Sequence, residues 1–579
     1  MSIHIERRAC DPQVLTKLST LPPLLARVYA ARGIENTDQL EYGLDHLIAP
    51  QHLKGIDDAV ARLEKALQQQ QRILIVADFD CDGATSCAVA LRGLAMLGAQ
   101  WLDYIVPNRF EFGYGLSPEI VAVAAERKPD LIITVDNGIA STEGVDTANG
   151  LGIEVLVTDH HLAPDRLPDA VAIVNPNQSG DTFPSKNLAG VGVIFYLLLA
   201  LRTQLRQHGW FDEQKIPEPN LAQLLDLVAL GTVADVVALD HNNRILVNQG
   251  LARIRSGHCC AGIQALLQVS GRNSADICAA DLGFTVGPRL NAAGRLDDMS
   301  LGIECLLNDD PELARDMAGE LDGLNRDRRN IEQSMQQQAM DILAKMQLDE
   351  ALPVGLCLYD ESWHQGVVGI LASRIKDKLH RPVIAFAPAD DDSGQLKGSA
   401  RSVSGVHIRD VLDAVASSHP GLLDKFGGHA MAAGLSLAGD RLLAFQQAFD
   451  REVQRHLGRD ALRGIIESDG ELSGDELSES IAEMLRHASP WGQAFPEPVF
   501  DGIFRLQSRR IVGEKHLKVQ LLHPQRQVPI DGIAFNQTDH DWPVEVTKVK
   551  VAYQLTINEF RGNRTLQLLI RHISPLAKG

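Results

Sequence analysis

The sequence contains no long apolar run, no secretory leader pattern and no regular cysteine framework. None of its hydrophobic stretches approaches the roughly 20 residues that a membrane-spanning helix requires. The first eight residues, Met1-Ser-Ile-His-Ile-Glu-Arg-Arg8, lack the apolar segment of a secretory signal. The eight cysteines include no Cys-x-x-Cys pair, so we expect reduced thiols in a cytoplasmic protein.

Positive charge is also scarce, because 55 lysines and arginines face 75 aspartates and glutamates, for a net charge of -20. This balance counts against non-specific nucleic-acid binding by the whole surface, although it leaves room for a local basic channel. A chain of 579 residues is too long for one hydrophobic core. We therefore expect three or four domains.

The acidic motif Asp78-Phe-Asp-Cys-Asp-Gly83 follows an apolar β-type run at 73–77 and precedes a run of small helical residues. Its three carboxylates therefore stand at the carboxyl end of a buried strand, where open α/β sheets place their ligands. In an extended segment Asp78, Asp80 and Asp82 would point the same way, and their repulsion would call for a cation or a proton. The alternative is an acidic turn that caps a helix.

Acidic and imidazole groups also follow later predicted elements. They stand in Asp136-Asn-Gly138, Asp159-His160-His161 and Gly231-Thr-Val-Ala-Asp235. Alternation of β and α patterns predicts a doubly wound, mostly parallel sheet, whose strands present their carboxyl ends at one edge. A mixed Asp and His set at that edge suits Mn²⁺, Mg²⁺ or another borderline divalent ion.

The second half predicts a long helix over 310–347, a smaller α/β segment and then short β segments typical of an OB-like barrel. We expect a helical segment at 1–50, a catalytic domain at 51–310, a connecting helix at 311–350, a substrate-binding domain at 351–460 and a nucleic-acid-binding barrel at 465–579. The barrel is locally basic, which would supply a groove for a single strand, although a merely solvated surface is the alternative. Its cations are Arg505, Arg509, Arg510, Lys515, Lys518, Lys548, Lys550, Arg561, Arg564 and Arg571.

Taken in order, these motifs resemble the DHH phosphoesterase superfamily, and within it the bacterial single-strand-specific exonucleases. Three later motifs add to the resemblance, the last being typical of the DHH-associated (DHHA1) domain. They are Gly287-Pro-Arg-Leu-Asn-Ala-Ala-Gly-Arg295, Trp363-His-Gln-Gly-Val-Val-Gly369 and Gly427-Gly-His-Ala-Met-Ala-Ala-Gly434.

The resemblance implies two divalent metal ions, Mn²⁺ or Mg²⁺, at a two-metal phosphodiester hydrolase site. The implied metal ligands are Asp78, Asp80, Asp82, Asp136, His160 and Asp235. Asp136 would bridge the ions, and His161 would contact the scissile phosphate or complete the site. Asp159 would orient an adjacent histidine. A histidine pair in an ordinary loop is the alternative for 160–161.

Several polar residues are candidates for holding the substrate. Arg109 could bind a phosphate and Tyr114 could stack on a base, unless their loop simply anchors a buried aromatic ring. The later motifs offer further contacts to phosphate oxygens, from Arg289, Asn291, Arg295, Ser399, Arg401, Ser402, Gly427, Gly428 and His429. By resemblance, the smaller domain would close over the metal site and grip the strand.

The resemblance implies an exonuclease that hydrolyses single-stranded DNA from its 5′ end to 5′-mononucleotides, in recombination and repair. It also implies contact with single-stranded-DNA-binding protein and a RecQ-type helicase, and we expect a monomer. Two alternatives stay open: a phosphodiesterase of short oligonucleotides or other small phosphoesters, and a non-catalytic single-stranded-DNA-binding scaffold. The extra basic domain favours a polymer substrate, and the complete set of candidate ligands disfavours the scaffold.

Overall fold

The computed structural model describes residues 3–108, 115–349, 352–389, 394–457, 464–540, 542–543, 545–560 and 562–576. By internal contacts the chain forms two compact units. The larger unit comprises Ile5–Gly294, Met299–Leu321 and Ile465–Gly579. The smaller unit comprises Met1–His4, Arg295–Asp298 and Asp322–Gly464.

The first 70 residues form short elements: β1 (Ile3–Arg7), α1 (Pro12–Lys17), α2 (Pro23–Ala30) and α3 (Ile56–Gln68), with 3₁₀ turns at Thr37–Leu40, Leu44–His46 and Pro50–His52. Asp11 begins α1, since its side chain accepts a hydrogen bond from the Gln13 amide. The ring of Tyr29 on α2 stacks on Trp491 and Phe495, which belong to the same unit. The N-terminal segment therefore shares a core with residues near the C-terminus.

A five-stranded parallel sheet forms the centre of the larger unit. Its strands are β2 (Ile73–Ala77), β3 (Leu102–Ile105), β4 (Leu131–Val135), β5 (Glu154–Thr158) and β6 (Ala172–Val174), in the spatial order β3-β2-β4-β5-β6. Every residue of β2 and β4 is buried, which explains their unbroken apolar sequences. The order reverses beside β2, so the predicted doubly wound sheet is confirmed, and its ligand crevice lies between the ends of β2 and β4.

Helices cover both faces of this sheet. The helices α4 (Cys81–Met96), α5 (Pro118–Glu126) and α6 (Thr142–Gly150) connect successive strands, and α5 and α6 share one core with the strands. The later helix α7 (Gly190–Gln207) is buried through its first half and packs on α4 together with α9. The helices from α8 onward are α8 (Trp210–Gln214), α9 (Leu225–Ala234), α10 (His241–Arg255), α11 (Ala261–Val269), α12 (Ala279–Asp281), α13 (Gly287–Leu296) and α14 (Ser300–Leu307). Shorter turns occupy Leu221–Leu224, Ser274–Asp276 and, as a π-helix, Leu282–Val286.

A closed barrel lies at the C-terminal end of the larger unit, after β12 (Gly464–Ser468) and α19 (Glu479–His487). Its strands are β13 (Phe500–Val512), β14 (His516–Leu522), β15 (Ile530–Ala534), β16 (Lys548–Phe560) and β17 (Asn563–Pro575), in the order β13-β14-β15-β17-β16. The expectation of an OB-like barrel is confirmed. Its neighbouring strands are antiparallel except for β15 and β17, which run parallel.

The smaller unit contains a mixed sheet in the order β10-β11-β9-β8-β7, in which only β7 and β8 are parallel among the described strands. The strands are β7 (Leu356–Tyr359), β8 (Val383–Pro388), β9 (Gln395–Arg401), β10 (Lys425–Gly428) and β11 (Ala432–Ala438). Helices α17 (Ile408–Ser418) and α18 (Leu442–His456) pack on one face, and α15 (Pro311–Asp349) and α16 (Val368–Leu379) contribute to the core on the other. Helix α15 continues without a break through Gly323.

No helix among the described residues is long and apolar enough to cross a membrane. All eight cysteines are free thiols. Burial raises the pKa of thiols such as Cys81, Cys87 and Cys357, which disfavours their thiolate form.

Candidate metal centre

The parallel sheet brings the predicted acidic and imidazole residues to one edge. Asp78 directly follows β2, Asp136 follows β4, and Asp159, His160 and His161 follow β5. The strands of β2, β4 and β5 are in register to their last residues, so these side chains leave the sheet at neighbouring points. The convergence expected from topology is present in the structure.

Only part of the acidic motif is extended, in contrast to the sequence expectation that its three aspartates alternate along one extended segment. Asp80 has extended backbone angles, but Asp82 already lies in the first turn of a helix. Strand β2 ends at Ala77 and α4 begins at Cys81. Asp80 is the N-cap of this helix, because its Oδ1 accepts hydrogen bonds from the amides of Asp82 at 2.9 Å and Gly83 at 3.0 Å. Capping, the alternative reading, thus coexists with the clustering of carboxylates.

Asp82 lies in the first turn of α4 and is held by the start of α7. Its Oδ2 accepts a hydrogen bond from the Gly190 amide at 2.7 Å, and its Oδ1 accepts one from the Val191 amide at 2.9 Å. Two backbone amides at a helix N-terminus stabilise the carboxylate and fix its orientation. Helix α7 therefore positions a carboxylate that lies more than a hundred residues earlier in the sequence.

Close approach of helices to this edge depends on glycine. A Cβ atom at Gly190 would lie 2.6 Å from Cβ of Asp136, and one at Gly231 would lie 2.8 Å from Oδ1 of Asp82. Both distances are too short for any real side chain, so α7 and α9 can reach the acidic cluster only through these two glycines. Asp136 itself has a positive φ of 62°, which turns the chain sharply where β4 ends.

The two histidines occupy different environments within the cluster. His160 Nε2 lies 3.2 Å from Asp136 Oδ1, 3.4 Å from Asp235 Oδ2 and 4.0 Å from Asp82 Oδ2. His161 instead directs Nδ1 to Asp159 Oδ1 at 2.7 Å. Asp159 also accepts hydrogen bonds from the amides of His160, His161 and Ile139, so it organises the turn that carries both rings.

These side chains form three overlapping groups whose ligand atoms lie within 4.8 Å of one another. The groups are Asp78 with Asp80 and Asp136, Asp82 with His160 and Asp235, and Asp136 with His160 and His161. Asp136 and His160 each belong to two groups. Carboxylate oxygens and imidazole nitrogens in this arrangement suit divalent ions such as Mn²⁺ and Mg²⁺. The donor set therefore fits more than one ion.

Burial concentrates negative charge in the cluster. Burial and the neighbouring charge of Asp80 raise the pKa of Asp82 to about 7, although the two α7 amides oppose this rise. Burial and the surrounding carboxylates also raise the pKa of Asp136 and that of Asp235 well above the ordinary range. Protons or cations relieve this repulsion. The cluster is thus an electrostatic site for cations.

The Asp159–His161 pair has the opposite electrostatic character. Burial alone would raise the pKa of Asp159, but the hydrogen bond and charge of His161 hold that pKa below its ordinary value. Burial opposes charge on His161, yet the bond to Asp159 raises the pKa of the imidazole to about 9. Asp159 therefore favours the protonated form of His161, within a cluster that is otherwise acidic.

Of the predicted substrate residues before the smaller unit, Arg109 and Tyr114 lie outside the described residues. Arg289 is buried on α13 and donates to the Thr285 carbonyl oxygen at 2.6 Å. Asn291 Oδ1 accepts a hydrogen bond from the Cys81 amide at 2.8 Å, which ties α13 to the acidic motif. Asn291 thus supports the start of α4.

The remaining candidates lie in the smaller unit. Arg295 donates to the Gly366 carbonyl oxygen at 3.2 Å. Arg401, at the end of β9, donates to Ser399 Oγ at 3.0 Å and to the Ala400 carbonyl oxygen. Burial lowers the pKa of Arg401.

The other predicted substrate residues of this unit follow β9 or lie on and after β10, which is separated from β9 by β11. Ser402 is buried, and its hydroxyl donates to the Val406 carbonyl oxygen at 2.7 Å, so it fixes the turn after β9. Gly427 and Gly428 pair with β11, and the His429 amide donates to the Ala432 carbonyl oxygen. Ser399 faces Gly434 of β11, so the serine, the arginine and the glycine turn occupy adjoining strands.

Sequence reasoning missed the carboxamides at the same edge of the parallel sheet. Asn137 is fully buried and donates both to the Val76 carbonyl oxygen at 3.0 Å and to the Val135 carbonyl oxygen at 2.9 Å. It therefore joins the ends of β2 and β4, immediately before Asp78 and Asp136. The sequence signal for Asn137 was its position directly after Asp136, within the motif Asp136-Asn-Gly138 at the end of a strand.

Comparisons with known proteins agree with this architecture. The model of the DHH family N-terminal domain matches residues 72–232, the DHHA1 domain matches 352–455 and the RecJ OB domain matches 468–572. The chain is 57% identical over 569 residues to the single-stranded-DNA-specific exonuclease RecJ of Dickeya dadantii, covering 98% of both chains.

Two solved structures are similar over almost the whole chain. One is RecJ from Thermus thermophilus in complex with Mn²⁺, with a TM-score of 0.81, 29% identity and coverage of 100% of this chain and 80% of that one. The other is RecJ from the same organism in complex with Mg²⁺, with a TM-score of 0.74, 29% identity and coverage of 99% and 79%.

Proposed function

Because the chain belongs to the family of the single-stranded-DNA-specific exonuclease RecJ, we propose that it hydrolyses phosphodiester bonds of single-stranded DNA. The proposal includes 5′-to-3′ direction, release of 5′-mononucleotides and a role in recombination and repair. The observation that carries it is the cluster of acids and imidazoles, with Asp78, Asp82 and Asp136 buried, in a chain that is 57% identical to such an enzyme over nearly its full length.

Two divalent ions, Mn²⁺ or Mg²⁺, belong to this proposal. They would be held by Asp78, Asp80, Asp82, Asp136, His160 and Asp235, whose oxygens and nitrogen form the overlapping groups described above. When bound, such ions lower the pKa of a coordinated water and neutralise charge on the phosphate. Asp136, which is shared by two groups, is the residue proposed to bridge them.

The chain's own contribution is the placement of these groups and of one cation. Asp159 fixes Nδ1 of His161 at 2.7 Å and favours the protonated ring, whose Nε2 would carry an N–H. We assign this group to the scissile phosphate, where a positively charged donor would offset the negative charge that develops during hydrolysis. Asp82 is held by the amides of Gly190 and Val191, and the Asp136 amide donates to the Thr158 carbonyl oxygen at the end of β5.

Substrate binding is assigned to three further regions. Arg401 and Ser399 form a paired donor set on β9, and Gly427, Gly428 and His429 follow on the adjoining strands. Arg289, Asn291 and Arg295 come from the motif on α13, and Arg109 and Tyr114 complete the set. The barrel would bind the strand farther from the reacting bond.

The proposal also covers the cellular setting. We place the protein in the cytoplasm as a monomer, in keeping with its free thiols, and in contact with single-stranded-DNA-binding protein and a RecQ-type helicase. The barrel favours a polymer substrate over the small phosphoesters that the two-domain alternative would take. The intact ligand groups favour catalysis over a scaffold role.

The test uses one single strand labelled separately at its 5′ and 3′ ends, incubated with the protein and Mn²⁺ or Mg²⁺. We expect immediate release of labelled mononucleotide from the 5′ end alone, no release in EDTA and no degradation of a duplex. Rapid cleavage of two- to five-nucleotide fragments with inert long strands would instead support the small-substrate alternative.

In the same assay, Asp136→Ala should lower the single-turnover rate by about 10³-fold or more, since metal stabilisation is worth several kcal/mol. Binding of the strand should be retained. The matched control is Asp146→Ala, an exposed aspartate on α6 whose side chain only approaches Arg166. Turnover by Asp136→Ala at the rate of this control would contradict the two-metal proposal.

A further inference from the structure

The segment Asn175-Pro176-Asn177 follows β6, beside the turn that carries the two histidines. Its carboxamides contact that turn directly. Asn177 Nδ2 donates to the His160 carbonyl oxygen at 2.6 Å, and Asn175 Nδ2 donates to the His161 carbonyl oxygen at 2.9 Å. Each asparagine therefore holds one histidine by its main chain.

The two asparagines are also joined by a hydrogen bond. Asn175 Oδ1 accepts a hydrogen bond from the Asn177 amide at 2.7 Å, so the donors of both side chains are fixed in one turn. Asn175 is fully buried, and Asn177 is half-buried. Asn175 uses both ends of its carboxamide, because Oδ1 accepts from the Asn177 amide and Nδ2 donates to the His161 carbonyl oxygen.

The opposite side of the histidine turn is held by Asp159. Its Oδ1 accepts hydrogen bonds from the amides of His160 at 2.7 Å and His161 at 3.1 Å. The N–H groups of both histidines are thus satisfied by a carboxylate, and their C=O groups by carboxamides. The backbone here lies outside any strand or helix, so these side-chain contacts take the place of a backbone ladder in fixing its path.

We propose that Asn175 and Asn177 are positioning residues with separate tasks. Asn177 sets the direction of His160, whose Nε2 reaches Asp136 and Asp235, and so governs metal affinity. Asn175 sets the direction of His161, which is paired with Asp159, and so governs the rate of the chemical step. This assignment rests on the proposed function, in which His160 is a metal ligand and His161 contacts phosphate.

The test compares Asn177→Leu and Asn175→Leu, which keep approximate size and remove the donors. Mn²⁺ binding to the metal-free full-length protein is measured by titration calorimetry, and kcat and KM are measured at saturating Mn²⁺. Asn177→Leu should weaken Mn²⁺ binding by roughly 10- to 100-fold, as for other residues that orient metal ligands. Its kcat should recover to within about threefold when Mn²⁺ is saturating.

Asn175→Leu should show the reverse pattern. We expect kcat to fall by about tenfold or more at saturating Mn²⁺, with Mn²⁺ affinity within about threefold of wild type and KM for DNA unchanged. Asn149→Leu is the matched control, because this exposed asparagine on α6 also donates to a carbonyl oxygen, that of Asp169, outside the cluster. It should leave all three quantities unchanged.

If Asn175→Leu does not fold, Asn175→Asp replaces it, because the aspartate can still accept from the Asn177 amide but cannot donate to His161. Asn177→Gln, which retains a donor, should restore part of the Mn²⁺ affinity. Wild-type metal binding and wild-type kcat in both leucine variants would overturn the inference. Failure of the wild-type protein itself to bind Mn²⁺ or degrade single strands would instead overturn the proposed function.

Discussion

The metal centre is acidic and the barrel is basic, and the two regions differ in how far their charged side chains are buried and paired. In the metal centre, Asp82 and Asp136 are buried, and the Gly190 amide holds the Asp82 carboxylate. In the barrel, cations lie on exposed or half-buried strand positions, and several are paired: Arg509 with Asp539 at 2.8 Å, Lys518 with Asp531 at 3.2 Å and Arg564 with Glu483 at 2.8 Å. Buried like charge calls for a ligand, whereas paired surface charge does so only weakly.

One barrel position does resemble the metal centre. Arg510 on β13 stands directly opposite Lys518 on β14, so two cations face each other across neighbouring strands. Like charges in this position destabilise a sheet unless an anion lies near them, and Asp531 beside Lys518 offsets part of this repulsion. A surface cavity of about 320 Å³ is lined there by Ser508, Arg509, Arg510, Lys518, Val519, Gln520 and Asp531. We expect a phosphate to bind in this part of the barrel beside Arg510.

The largest expected effect is that of Gly190→Ala, which tests whether the buried charges of the metal centre depend on their close backbone contacts. The added Cβ would lie 2.6 Å from Asp136 and would also disturb the amide that holds Asp82. Overpacking of about 1–3 kcal/mol, focused on two ligands, should lower Mn²⁺ affinity and single-turnover rate by roughly 10- to 100-fold. The control is Gly150→Ala at the end of α6, where an added Cβ meets nothing within 4 Å. Equal activity of the two variants would mean that the metal centre tolerates displacement.

A second prediction concerns pH and metal removal. The pKa of Asp82 is about 7 in the folded protein and 3.8 for an ordinary aspartate, so the folded state holds a proton that the unfolded state releases. Between these values the metal-free protein should lose stability as pH rises, and Mn²⁺ should restore it. The Mn²⁺-dependent rise in Tm should therefore be larger at pH 7.5 than at pH 5.5.

This is measured by thermal unfolding in EDTA and in Mn²⁺ at both pH values. Asp82→Asn serves as the comparison, because its carboxamide does not titrate and its pH dependence should be smaller. An equal Mn²⁺-dependent shift in Tm at the two pH values in the wild-type protein would show that the buried carboxylates are not protonated when the metal is absent.

The smallest effect is expected in the barrel. Arg510→Ala should weaken single-strand binding by about three- to tenfold and reduce the salt slope by about one, since one phosphate contact is lost. Arg509→Ala should have less effect, because its charge is already offset by Asp539. Fluorescence anisotropy at several salt concentrations measures both, with Arg166→Ala on the parallel-sheet domain as control. An unchanged salt slope for Arg510→Ala would show that this barrel surface does not contact the DNA backbone.

Much of the metal centre was predictable because it depends on local pattern and topology. An apolar run followed by an acid identifies Asp78, Asp136 and Asp159, and parallel strands bring such residues to one edge. The fold class followed from the same alternation. The path of residues 78–82 was not predictable from it, since Asp80 caps a helix that begins earlier than an extended reading allows.

The contacts that the sequence did not predict join residues that are well separated along the chain. The Gly190 amide holds Asp82, Asn291 holds the Cys81 amide, and Asn177 holds the His160 carbonyl oxygen. Each contact joins a side chain to a main-chain group, so no pattern of side-chain types predicts it. The pairing of Arg509 with Asp539 is equally hidden, and a count of basic residues therefore overstates the free positive charge of the barrel.

Closure of the barrel has a consequence for how this part of the chain can meet other molecules. Every strand from β13 to β17 has a hydrogen-bonded neighbour on each side within the described residues, although β16 pairs with β13 only over Lys548–Tyr553. No strand is therefore an edge strand along its whole length, which disfavours strand addition by an extended peptide or a second copy of the chain. Recognition over most of this surface then depends on side chains, which can follow a flexible polymer without reading the register of a backbone.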